Sequence, residues 1–348
     1  MNQYLDYIME QLEKLMAIDS PPGFTKKVTD YLLEEYARLG YSAKRTVKGG
    51  VIAEIGGEGD PILTMAHVDT LGAVVAEIKS NGRLRLSPVG GFNANNAEAH
   101  NCRVYTYDGQ IYEGTIQLAD ASLHVNKEYS TTQRTFQSVE VVLDEPVTSK
   151  DDVKALGITN GCFVCADPNL VVTNSGYIKS RFLDDKLSAA ILLGYAKYIR
   201  ENNITPLRKV YQHMTVFEEV GHGACASIPE DVTELLSVDM GCVGDGLECT
   251  ERQVSICAKD GHGPYNYQVT TGLVNAAKKD SIDYAVDIYP FYGSDADAAL
   301  SAGKDARHGL IGAGVYASHG YERSHKDGVV NTFRLLCSYL NGNAPKMD

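Results

Sequence analysis

The chain has 348 residues, 44% of them hydrophobic and 22% charged, which is the composition of a globular protein long enough for two domains. Its 32 basic and 45 acidic residues leave a formal net charge of −13, and no Lys/Arg run could line a phosphate backbone, so nucleic acid is excluded as an expected partner. No apolar run approaches the length of a membrane span, and Met1-Asn2-Gln3-Tyr4-Leu5-Asp6 has no basic region followed by an apolar one, so the expectation is a cytoplasmic protein with no membrane partner.

Residues 4–17 carry Leu5, Ile8, Met9, Leu12, Leu15 and Met16 at helical spacing. Ser20-Pro21-Pro22-Gly23 interrupts that pattern, and a second helix follows with Val28, Tyr31, Leu32, Tyr36 and Leu39 on one face, stopped by Gly40. Strands are predicted over 42–45, 51–55 and 61–66, the last buried and ending at His67-Val68-Asp69. From about residue 71 to 165 the texture changes to short runs between turn signals such as Asn81-Gly82, Gly90-Gly91 and Asp108-Gly109. Strand candidates at 74–79, 103–107 and 139–144, with one short helix over 149–156, read as an inserted β-rich module. The α/β texture then returns. A helix over 185–199 presents Leu187, Ala190, Ile191, Gly194 and Tyr195, and a strand over 210–217 follows. After it come a helical turn near 224–228, a strand over 234–238, one over 254–258, a helix over 270–279, a strand over 285–289, a segment over 295–302 and a final helix over 328–340. Alternating strands and helices predict a three-layer α/β/α fold. The expected organisation is one domain made of residues 1–71 and 165–348, interrupted by a small β-barrel-like domain over 72–164.

Chemistry concentrates at strand ends. The 210–217 strand runs into Glu218-Glu219 and then a glycine-rich turn, and ligand sites in open α/β sheets lie at the carboxyl ends of strands. Neighbouring side chains on a strand point to opposite faces, so the two glutamates can take different tasks, one binding a metal and one handling a proton. An isolated Glu-Glu pair is usually solvated surface, but three further groups share the setting: His67-Val68-Asp69, Asp184-Asp185 before a helix, and Asp239 at the end of another buried strand. Imidazole mixed with carboxylates suits zinc, cobalt or manganese, and the number of carboxylates exceeds what one tetrahedral ion uses, which points to two ions sharing a bridging carboxylate. The eight cysteines are scattered, and Cys162-Phe163-Val164-Cys165 has no partner pair at zinc-ribbon spacing, so they read as reduced core residues.

In this order, Ala66-His67-Val68-Asp69, Leu183-Asp184-Asp185-Lys186, Glu218-Glu219-Val220-Gly221, Val238-Asp239 and Ser294-Asp295-Ala296 resemble the motifs of the glutamyl-aminopeptidase family that includes the tetrahedral (TET) aminopeptidases, co-catalytic dinuclear metallopeptidases. Gly90-Gly91-Phe92, residues 103–114 and Leu156-Gly157-Ile158-Thr159-Asn160-Gly161 resemble the family's inserted barrel, so the likeness spans the chain. The resemblance implies a metalloaminopeptidase that removes N-terminal residues from short peptides with two divalent metal ions per subunit, zinc first and cobalt or manganese as alternatives. It implies His67, Asp184 and Asp239 on one ion and Asp184, Glu219 and His325 on the other, with Glu218 as the general base and Asp69 orienting the His67 ring. It implies a cis Asp184–Asp185 bond and a homo-oligomer, either a dimer or a tetrahedral dodecamer. The segment His319-Gly320-Tyr321-Glu322-Arg323-Ser324-His325 departs from the family's Arg-Tyr-x-His-Ser pattern; His325 is preferred because it lies directly before the last helix, and His319 is its competitor. His100, His124, His213, His222, His262 and His308 are read as structural or exposed, His124 also resembling a barrel position that could serve a substrate pocket or interface.

The mechanism expected is attack by a metal-activated water whose proton Glu218 accepts and then passes to the leaving amine. The rivals are a dipeptidase or deacylase of the same clan, whose insertion follows the Glu-Glu motif instead of preceding it, an endoglucanase, which leaves the histidines unexplained, and a non-catalytic binding protein.

Overall fold

The computed structural model describes residues 2–346. The chain forms two compact units, Met1–Asp69 with Asn169–Asp348, and Thr70–Pro168. The expected boundaries at 72 and 164 therefore move outward. Strands Gly72–Ile78 and Phe163–Ala166 pair through Ala73↔Val164, and the Arg103–Asp167 ion pair carries the second unit to its end.

The larger unit is built on a 12-stranded mixed sheet. Along its main path the strands run Ala43–Arg45, Val51–Gly56, Val210–Thr215, Ile62–His67, Glu234–Val238, Arg307–Tyr316, Glu322–His325, Tyr177–Ser180 and Val171–Val172. Strand Ile62–His67 is buried at every residue and has parallel neighbours on both sides, registered Thr215↔His67 and Ser237↔Met65. The carboxyl ends of three buried strands thus share one edge, and the chain leaves them at His67, at Glu218 and at Asp239.

Helices cover both faces, as side-chain alternation shows on a single strand. Gln212 points one way, accepting from Tyr36 Oη at 2.7 Å and donating to the Leu192 carbonyl at 2.9 Å, both on helices. Its neighbour Tyr211 points the other way, into a core with Leu63, Met65, Leu235, Leu310 and the helix residues Ala296 and Ala299. Helix Leu183–Glu201 is buried almost all round from Leu183 to Ala196 because helices Asn2–Met16 and Lys326–Asn341 cover its outer side. Lys186 is fully buried and ties the end of the first helix through the carbonyls of Leu15 and Ile18.

Several strands escape the sequence reading. The segment around Gly312–Gly314, for which no strand is predicted, is the interior of strand Arg307–Tyr316, where a Cβ on Gly312 would stand 1.5 Å from the Asp239 carbonyl oxygen. Glycine is required there by the approach of the neighbouring chain. Residues 224–228 make no helical turn; the short 3₁₀ turn lies at Glu218–Val220, entered through Phe217 at φ 70°.

The second unit is a closed barrel in the order Gly72–Ile78, Leu84–Val89, Val139–Leu143, Ile111–Leu118, His100–Tyr105 and Phe163–Ala166. Val75, Leu84, Leu86, Val104, Ile116, Val141 and Val164 fill it. Closure removes the exposed strand edges that an open sheet would leave. The predicted short helix is Lys150–Ala155, capped by Ser149 and Asp152. Among the described residues no disulfide joins any of the eight cysteines, six of which are buried. Among the described residues no helix is long and apolar enough to cross a membrane.

Candidate metal centre

At the shared strand edge the chain gathers two imidazoles and five carboxylates. His67 Nε2 stands 3.0 Å from Asp184 Oδ1 and 3.6 Å from Glu218 Oε2. Asp184 reaches the opposite way with Oδ2, 3.5 Å from His319 Nε2, and the same ring nitrogen is 3.8 Å from Glu219 Oε2. One ligand atom each of His67, Asp184 and Glu219, and likewise of His67, Asp185 and Asp239, lies within 4.8 Å of the others in its group.

Backbone geometry sets these positions. Phe182 turns at φ 66°, the Asp184–Asp185 bond is cis, and both aspartates stand outside helical dihedrals before the helix proper begins. Asp69 is fully buried, and its two carboxylate oxygens accept the amides of Glu218 and Glu219, each at 3.2 Å. The partner of His67 Nδ1 is the Asp69 carbonyl at 2.9 Å, with the nearer carboxylate oxygen at 3.8 Å. Asp69 therefore orients the ring through its main chain and holds the Glu-Glu turn through its side chain.

The expected ligand His325 is placed elsewhere. Its ring caps the final helix, Nδ1 accepting the Asp327 amide at 3.0 Å, while Nε2 meets the Ser175 carbonyl at 2.8 Å. The ring also packs against Tyr177 and so close to Gly176 that a Cβ there would lie 2.8 Å from Nε2. Both nitrogens of His325 are thus occupied by structural partners. The histidine beside Asp184 and Glu219 is His319, half-exposed and held at φ 60°. Its partner in this is Glu322, which the sequence reading missed. Glu322 is buried, and its two oxygens accept the amides of Asp184 and His319, each at 3.1 Å. The one signal for Glu322 was a charged residue beside a strand-forming stretch, which by itself usually means solvent.

Burial and crowding of like charges dominate the electrostatics. Burial pushes Glu218, Glu219 and Asp185 well above the carboxylate range, with neighbouring acids adding to it, and pushes Asp239 up to about 7 with Asp184 as the next cause. Burial also opposes ionisation of Asp184, but the His319 and His67 hydrogen bonds outweigh it and hold that carboxyl below its ordinary value. His319 is raised to about 9, first by its hydrogen bond to Asp184. Glu219 Oε1 and Asp185 Oδ1 are buried with no hydrogen-bond partner among the described residues. Such oxygens are costly unless a cation completes them, and a mixed imidazole and carboxylate set fits divalent transition metals. The residues present fit two such ions. The cavity over them measures about 360 Å³.

A family model described as M42 glutamyl aminopeptidase matches residues 49–335. A Bacillus subtilis protein described as "Putative aminopeptidase YhfE" is 44% identical over 334 residues, 95% of this chain and 96% of that one. In fold, the chain is similar to a TET aminopeptidase from a marine-sediment thaumarchaeote, with a TM-score of 0.86 at 19% identity over 96% of each chain. It is similar also to the Pyrococcus horikoshii TET1 peptidase, described as assembling into a tetrahedron or a large octahedral shell, with a TM-score of 0.83 at 23% identity over 94% of this chain and 98% of that one.

Proposed function

The chain belongs to the M42 glutamyl aminopeptidase family and is an aminopeptidase, and from that premise we propose that it removes N-terminal residues from short peptides at a site holding two divalent metal ions. His67, Asp184 and Asp239 would hold one ion, and Asp184, Glu219 and His319 the other. The observation that carries this reading is the buried surplus of carboxylates around His67 and His319, with two oxygens that no hydrogen-bond donor among the described residues completes. Zinc is the ion proposed first, with cobalt and manganese as alternatives. When bound, the pair supplies an activated water and polarises the scissile carbonyl.

The chain's own residues do the remainder. Glu218 lines the cavity without being needed as a ligand, and its carboxylate accepts the proton of the attacking water and returns it to the leaving amine. Asp69 keeps Glu218 and Glu219 in register by holding both amides. Glu322 does the same for Asp184 and His319. A free substrate α-amine would bind a metal or a nearby carboxylate, which would restrict cleavage to the first residue. The protein is further proposed to act in the cytoplasm as a homo-oligomer, a dimer or a tetrahedral dodecamer, a matter for light scattering.

The test is hydrolysis of short peptides with free and N-acetylated ends, before chelation, after it and after metal is restored. Activity on free N-termini alone, lost and regained with metal, is expected. Glu218→Gln should keep its metal content while kcat falls by about 10²- to 10⁴-fold. Cleavage of acetylated peptides, or indifference to chelator, would sink the proposal and favour the deacylase or endoglucanase readings.

A further inference from the structure

The cavity extends past the catalytic acids along helix Asp295–Ser301, whose residues Asp297, Ala298 and Ser301 line it at helical spacing. Cys225, His262 and Tyr292 line the same space. No lysine or arginine does: every charged group on its wall is an acid, apart from the two histidines.

Asp297 is buried, and its oxygens are unequally satisfied. Oδ2 accepts the Ser294 amide and hydroxyl, each at 3.0 Å, and the Tyr265 hydroxyl at 3.2 Å. No N–H or alcohol of the described residues donates to Oδ1, and the nearest imidazole, His308 Nε2, stands off at 3.8 Å. Behind it, hydrogen-bonded to Asp297, lies a second carboxylate, Asp260, whose Oδ1 accepts the amides of His262 and Gly263 at 2.8 and 3.2 Å and whose Oδ2, 2.9 Å from Tyr265 Oη, shares that single hydroxyl with Asp297. An acidic side chain entering this arm would meet repulsion with no cation to pair with. An apolar one would cover the Asp297 carboxylate where it lines the cavity and bring no charge to the Asp260–Asp297 pair. A lysine or arginine supplies both the charge and the N–H groups.

We propose that this arm receives the side chain of the N-terminal residue, and that Asp297, backed by Asp260, selects lysine or arginine there. The inference rests on the aminopeptidase reading of the same cavity.

The experiment compares kcat/KM for p-nitroanilides of lysine, arginine, leucine and glutamate on the metal-loaded enzyme, for the wild type, Asp297→Asn and Ser301→Lys. The wild type is expected to prefer lysine or arginine. Asp297→Asn should lower the lysine-to-leucine ratio at least fivefold. Because Asp297 also serves in the cap of its helix, the exposed Ser301 provides a substitution outside that cap. An added ammonium at 301 should lower the lysine-to-glutamate ratio at least fivefold. A wild type that prefers glutamate or leucine overturns the proposal while leaving the aminopeptidase intact, as do shifts below fivefold in both variants. If no free N-terminus is hydrolysed at all, the specificity falls together with the reading it rests on.

Discussion

His319 and His325 are six positions apart, and the difference between them is what each ring nitrogen already touches. A ligand must keep a nitrogen for the ion, and His325 has committed both, one to the helix it caps and one to the Ser175 carbonyl. His319 faces two carboxylates that need a positive partner. His319→Ala is therefore expected to lower the bound metal, read by elemental analysis, and to cut kcat/KM by 100-fold or more, on the scale of lost metal-site groups. His325→Ala should keep its metal and instead lose about 0.5–2 kcal/mol of unfolding stability, the usual cost of an N-cap. Loss of metal in His325→Ala with full metal in His319→Ala would reverse this assignment. Most of the cluster was legible from the sequence, because His67, Asp184, Glu219 and Asp239 all follow or precede strongly patterned buried elements. The last histidine was not, because adjacency to a helix start marks a cap as readily as it marks a ligand. Glu322 was out of reach for a related reason: its task is to accept two main-chain amides, and that leaves no side-chain motif.

Strand Val210–Thr215 carries a titratable group unrelated to the metal site. His213 is buried with its Nδ1 unpartnered, and burial, with Lys48 as a lesser cause, lowers its pKa to about 3. A histidine lowered in the folded state binds its proton more readily when unfolded. Its neutral form supports folding above the unfolded value near 6.5, and that support is lost as pH falls from there toward 3. His213→Gln should consequently narrow the acid loss: between pH 7.5 and pH 5 the urea-derived stability of the wild type should fall about 2 kcal/mol further than that of the variant. Parallel curves would show that His213 is not the responsible group. Among the elements, length and apolar spacing made the long helices and the strands that end at the site readable. Strand Arg307–Tyr316 was hidden because Gly309, Gly312 and Gly314 look like loop residues in one dimension, whereas in the sheet Gly312 is the residue that lets the Asp239 segment approach. The barrel strands Leu84–Val89 and Ile111–Leu118 alternate with polar residues and sit between tight turns, so each leaves only a weak periodic trace.

At the scale of the whole molecule, an insertion whose first and last strands pair, Ala73 against Val164, enters and leaves its host at neighbouring points. The barrel is closed and has its own apolar interior. Residues 70–168 expressed alone are expected to give a β-type circular dichroism spectrum and a cooperative thermal transition; a featureless melt would show that the barrel depends on its host. The host stands in a different position. Its central strand Ile62–His67 comes from the first part of the chain, but both of its neighbours, Val210–Thr215 and Glu234–Val238, lie beyond the insertion. On a ribosome adding about 5–20 residues per second, that apolar strand waits roughly 10–30 s for its partners. The barrel is complete well before then, so the order of synthesis sets the order of folding. A strand buried at every residue is thus among the last to be covered, and during that interval it is the segment a nascent-chain chaperone would meet.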